Sequence, residues 1–123
     1  MTVADEAAGR AEAQRRIAAC RETRGEDLDL GGLQLTRVPE EVYELRWLRR
    51  LYLGADPEAR NDRDFGGYDE NDRKRCNALG ALTGALCKAL AGLELLDLAH
   101  NGLKALPTEM AGLVNLLPQP LGQ

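Results

Sequence analysis

Three groups of residues have types and spacing that could do chemistry. The first is Asp62-x-Asp64-x-Gly66-Gly67, which opens like a calcium loop. The likeness fails at the fifth slot, where Gly66 offers no side-chain oxygen, and at the twelfth, where Arg73 stands in place of a bidentate Glu. The second is the cysteine set. Cys20, Cys76 and Cys87 are odd in number and widely spaced, and His100 is the only histidine, so a zinc site lacks ligands. They read as reduced thiols of a cytoplasmic protein. The third group is Asp29, Tyr52 and Asp97. If their segments lie side by side, an amphipathic ring sits between two carboxylates, a suitable anchor for a basic or arginine-bearing partner. No G-x-S-x-G, phosphate loop or dinucleotide fingerprint occurs. The expectation is therefore a non-enzyme without cofactor or metal, whose chemistry is recognition.

The elements that must position the third group form a repeat. Residues 93–106 read L-E-L-L-D-L-A-H-N-G-L-K-A-L, followed by Pro107, which is the pattern L-x-x-L-x-L-x-x-N-x-L. With Leu93 as slot 1, Leu96, Leu98, Asn101, Leu103, Leu106, Pro107, Met110 and Leu113 fill slots 4, 6, 9, 11, 14, 15, 18 and 21, and Leu116 restarts the frame 23 residues on. A frame starting at Gly25 puts Leu28, Leu30, Leu33, Leu35, Val38, Pro39, Val42 and Leu45 in those same slots, with Leu48 again 23 residues on. Leu48, Leu51 and Leu53 open a further frame, which breaks and resumes at Asn77, Leu79, Leu82 and Leu86. The step from Leu48 to Leu93 is 45 residues, so this copy carries an insertion, residues 54–76. That stretch has no leucine and cannot supply a repeat core of its own.

These frames resemble the leucine-rich repeat family, and the Val38-Pro39 and Leu106-Pro107 steps resemble the short repeats of bacterial proteins, including the segment preceding the GTPase unit of Roco-type proteins. Leu33 replaces the family Asn in the first copy, and Thr83 replaces the Pro in the second. The resemblance implies an α/β fold, a short right-handed α-β horseshoe of three repeats over residues 25–117, and a binding role. The residues agree without it. Leucine makes up 22 of 123 positions and aromatics only 4%, a core of one residue type that suits a stack in which every turn presents the same hole. Leucines at slots 4 and 6 alternate with polar residues, which predicts a strand. The slot-9 Asn turns the chain out of that strand. Leu33 cannot, so the first turn is expected to be held by packing or by the N-terminal cap.

On the concave face, strand residues pointing away from the core form three columns. Slot 2 holds Glu26, Arg49 and Glu94, whose charges neutralise one another across strands. Slot 3 holds Asp27, Arg50 and Leu95, and slot 5 holds Asp29, Tyr52 and Asp97. The candidate partner-binding set is Asp29, Arg49, Arg50, Tyr52, Leu95 and Asp97. The insertion, with seven acids and five bases, reads as a mobile loop or one ending in a short helix. Its Phe65 and Tyr68 are candidates for a recognition arm.

The rest of the chain frames these repeats as one domain over residues 1–123. Residues 4–24 predict a helix, with Glu6–Arg10 and Glu12–Arg16 as i,i+4 pairs, a narrow stripe of Ala13, Ile17 and Cys20, and Gly25 at the C-terminal cap. It reads as an end cap for the first repeat. Residues 118–123 are expected to form a tail in which either Pro118 and Pro120 blunt the open sheet edge or the chain ends raggedly, cut from a longer ancestor, and oligomers through this edge are expected to be accessible. The net charge of −4 argues against nucleic acid and against an anionic membrane surface. No apolar run of signal-peptide or membrane-spanning type occurs. The function expected is a protein–protein interaction module. The alternatives are a sensing segment of a larger enzyme such as a Roco-type GTPase, and a structural product without a specific ligand.

Overall fold

The structure, a computed structural model, describes residues 3–66, 69–80, 82–101, 103 and 107. It is a mixed α/β arrangement around a three-stranded parallel sheet, with strands β1 (Asp27–Asp29), β2 (Arg50–Tyr52) and β3 (Leu95–Asp97) side by side in chain order. Helices are α1 (Glu6–Thr23), α2 (Pro57–Arg60), α3 (Glu70–Arg73) and α4 (Gly84–Ala89), with a 3-10 turn at Glu40–Glu44. Parallel neighbours need a crossover between them. The 3-10 turn lies on the first crossover and α2, α3 and α4 lie on the second.

The strand register follows the leucine spacing. Leu28 pairs with Leu51 and Leu51 with Leu96, so the slot-4 leucines share one row. A one-residue slip would turn all three out of the core. The slot-6 residues Leu30, Leu53 and Leu98 are buried beside them, as are Leu45, Leu48, Leu90 and Leu93. Val42 of the 3-10 turn and Leu86 of α4, both at slot 18, close the far side of this core. Each buried leucine contributes about 1.5–3 kcal/mol relative to an exposed one.

The α1 helix covers the outer edge of β1. Asp5 caps its N-terminus, accepting a hydrogen bond from Ala8 N at 2.9 Å. Ala13, Ile17 and Cys20 are buried on the face toward the sheet. Arg16 Nη1 donates to Asp29 O (2.8 Å), and Cys20 Sγ and Trp47 Nε1 both donate to Gly25 O. Side chains thus satisfy carbonyls that an edge strand cannot give to a neighbour. Gly9 is the point of closest approach, since a Cβ there would lie 1.7 Å from Leu33 O.

Two local expectations are corrected and a third is extended. Arg24, not Gly25, takes the left-handed position ending α1 (φ 56°), a conformation that costs a non-glycine residue roughly 1–2 kcal/mol. Its guanidinium stacks 4.6 Å from the Trp47 ring centroid, which fixes the Arg24 side chain. Glu12 pairs with Arg16 as anticipated (2.9 Å), but Glu6 turns to the backbone N–H and hydroxyl of Thr36 instead of forming an ion pair with Arg10. The first turn is held by the packing of buried Leu33 and by contacts from the N-terminal cap (Val3 O accepts from Gln34 Nε2, Glu6 from Thr36), and in addition by Asn77, from 42 and 44 residues further along the chain.

Residues 54–76 are not a free arm. Ala55 and Cys76 meet as antiparallel bridge partners, and α2 and α3 lie between them. Ala55, Ala59 and Cys76 are buried together, with Phe65 packed on them. The expectations placed on Tyr68, Leu106, Met110, Leu113 and the tail 118–123 fall outside the described residues.

Candidate functional site

The strand face carries the three polar columns in register. In the first two, arginines of β2 bridge acids on both sides. Arg49 reaches Glu26 (3.1 Å) and Glu94 (2.5 Å). Arg50 pairs with Asp27 and approaches Glu26 (3.7 Å) and Glu94 (3.8 Å). The hydrogen bonds that Arg49 donates to Glu94 and Arg50 donates to Asp27 make both guanidiniums harder to deprotonate. The network is solvated, so it orders the face more than it stabilises the fold. Leu95 is half-buried on β3, beside Arg50 in the register.

The third column is built differently. Asp29 and Asp97 sit at equivalent corners, where each strand turns away from the sheet. Asp29 Oδ1 accepts from Gly31 N (2.9 Å) and Asp97 Oδ1 accepts from Ala99 N (3.0 Å). Both aspartates therefore hold the strand-to-turn corner as Asx turns. Tyr52 lies between them, paired in register with each. Arg60, the last residue of α2, reaches back over this column. Its Nη2 is 2.6 Å from Asp29 Oδ2, its Nη1 is 3.3 Å from Asp29 Oδ1, and its Cζ lies 4.0 Å from the Tyr52 ring centroid. One guanidinium is thus held by both oxygens of a carboxylate and by a ring face, the two partners its planar fork matches. The Asp29 and Arg60 side chains are 32% and 19% exposed, so the pair is partly shielded from water.

A second set of contacts fixes the base from which Arg60 projects. Asp56 caps α2 through Ala59 N (2.8 Å) and forms an ion pair with Arg75 (2.9 Å), across the neck next to the Ala55–Cys76 bridge. Burial pushes the Asp56 carboxyl up, but the hydrogen bonds from Arg75 and Ala59 N outweigh it, and the group stays below its ordinary value. Burial, with Asp56 and Asp72 nearby, pushes the Cys76 thiol up to about 11. Phe65 meets the His100 ring edge-on at 5.2 Å and lies under the Arg75 guanidinium at 5.3 Å. His100 takes a left-handed conformation (φ 61°) at the slot that Gly32 fills in the first frame (φ 74°). The ring contact with Phe65 ties the third strand's turn to the insertion.

The six strand-face candidates are thus brought onto one surface, and Phe65 is folded inward beneath its rim. Sequence reasoning missed Arg60, Arg75 and Asp56. The acids and bases of the insertion were visible, but nothing in their spacing indicates which of them reaches back to β1.

Comparison with family models, with curated proteins and with solved structures finds no match. Among the described residues, no three His, Cys, Asp or Glu side chains converge as metal ligands, and no helix is long and apolar enough to cross a membrane. A cavity of about 460 Å³ opens on the opposite flank, between α1 and the 3-10 turn. Arg10, Arg37, Glu40 and Glu41 line it, and Tyr43 Oη hydrogen-bonds Thr83 Oγ1 there at 2.9 Å. Its described lining holds neither a histidine nor a cysteine.

Proposed function

We propose that the chain is a protein-interaction module of the leucine-rich repeat type. Three repeats stack as a short solenoid, and a partner binds across the strand face and the folded insertion. The observation that carries this is Arg60 on Asp29 and Tyr52: the face already holds a guanidinium in a fitted seat. The common row of Leu28, Leu51 and Leu96, with the buried asparagines Asn77 and Asn101 at the turns, supports the repeat reading. The partner presents a basic segment, because Asp97, at the corner equivalent to Asp29, makes no ion pair among the described residues. The role is binding and not catalysis. Cys20, Cys76 and Cys87 are buried and not joined in disulfides, which accords with a reducing cytoplasmic setting.

Affinity capture tests this, comparing wild type with a Tyr52→Ala, Asp97→Ala double variant of unchanged circular dichroism. A defined partner retained by wild type and lost by the variant supports the reading. An identical catch by both proteins refutes binding through this column.

A further inference from the structure

The geometry points to the Asp29–Tyr52 seat as a binding site for an arginine side chain of the partner, with Arg60 as its tethered internal occupant. The seat meets both demands of a guanidinium. Asp29 offers two oxygens, at 2.6 and 3.3 Å from the two terminal nitrogens of Arg60, and the Tyr52 ring supplies a face 4.0 Å from Cζ. A lysine ammonium matches neither the fork nor the stacked plane, so the site selects arginine. The inference rests on the strand face being the partner surface.

Exchange requires little of the fold. The α2 helix stays anchored by Ala59 in its small apolar cluster, by the Asp56 cap and by the Asp56–Arg75 pair. Asp29 Oδ1 keeps its bond from Gly31 N throughout. Only the Arg60 side chain has to rotate out of the seat, a motion of side-chain timescale. An arriving arginine that sits on Tyr52 also lies beside Asp97, the register neighbour on β3. A partner therefore gains a second carboxylate that Arg60 is not seen to use. Arg60 acts as a built-in competitor whose local concentration, set by its short tether, is on the order of millimolar or higher. Isolated arginines bind poorly against it, and only a partner with further contacts along the face displaces it.

The test uses the full chain and two peptides, acetyl-Gly-Arg-Gly-amide and its lysine counterpart, followed by NMR at the Tyr52 ring protons, assigned with a Tyr52→Phe variant. In Arg60→Ala the arginine peptide should shift these resonances at roughly tenfold lower concentration than in wild type, and the lysine peptide should shift them in neither. Arg60→Lys, which keeps the charge but not the fork, gives an intermediate response and serves as the readout should the alanine variant not fold. The proposal is overturned by no response in any folded Arg60 variant, by equal response to both peptides, or by equal response of variant and wild type. Arg60 would then be a structural clasp. Selective arginine binding by Arg60→Ala, combined with a failed partner capture, keeps the seat and removes the module reading. The reverse pair of results keeps the module and removes the seat.

Discussion

The side chain of Asn77 holds the backbone of Leu33: its Oδ1 accepts from Leu33 N at 3.2 Å, across 44 residues of sequence. The same oxygen accepts from Leu35 N, and Nδ2 donates to Leu30 O and Leu53 O. One buried amide thus closes the turn after β1 and ties it to the end of β2. Asn101 does the equivalent one strand on, accepting from Leu79 N and donating to Leu53 O and Leu98 O.

Asn77→Ala should therefore destabilise the fold by roughly 3–5 kcal/mol, because it strands two buried N–H groups and two carbonyls at once. Urea unfolding measures it. A loss below about 1 kcal/mol would mean that water reaches the turn and replaces the amide.

Gly9→Ala separates two physical effects of opposite sign. In an exposed helix this change gains about 1 kcal/mol. Here the added carbon would meet Leu33 O at 1.7 Å, so α1 must lift from the turn it covers. A net loss of about 1–3 kcal/mol is expected. A raised urea midpoint would show that α1 does not rest on the sheet as described.

The neck has a pH signature. The folded-state value of Asp56 lies below its ordinary 3.8, because the Arg75 and Ala59 hydrogen bonds outweigh burial. A depressed carboxyl stabilises the folded form at every pH above that ordinary value, and the contribution fades as pH falls through the folded one. The stability difference between wild type and Asp56→Asn should therefore be full at about pH 7 and shrink below about pH 3.8. An unchanged difference in acid would detach Asp56 from the stability of the neck.

Cys76 should alkylate far more slowly than an exposed, ordinary thiol. With its thiol pushed from 9.0 to about 11 and only 4% of its surface exposed, it presents about a hundredfold less thiolate near pH 8 than an ordinary cysteine. Iodoacetamide labelling read by mass spectrometry should modify Cys76 only after denaturant opens the neck. Prompt labelling of the native protein would show that the Ala55–Cys76 bridge breathes.

What could be read from the sequence was whatever repeats. The spacing that placed Leu28, Leu51 and Leu96 at one slot also predicted their pairing, because a period-2 strand buried on one face tolerates no slip. The asparagines were recognisable as turn residues, but the turn that Asn77 serves was not. Its amide completes the preceding copy, where Leu33 stands in the Asn slot, and a pattern read one copy at a time hides that debt. Arg60 was invisible for a related reason. Its partner Asp29 is 31 residues away, in a segment whose charges follow no period. Low apolar content suggested a loose loop, yet Ala59, Cys76 and Phe65 suffice for a small core of their own once the neck is closed.

Because Ala55 and Cys76 face one another, the insertion leaves the crossover between β2 and β3 and rejoins it through a single doorway. The buried leucines behind that threshold meet the same boundary whatever is hung outside, while Arg60 and Phe65 are the points where the outer stretch reaches back to Asp29 and His100. Descendants of this sequence are thus free to lengthen, trim or exchange the outer stretch without retuning a single leucine. Change in the outer stretch and constancy in the leucine core become separately heritable.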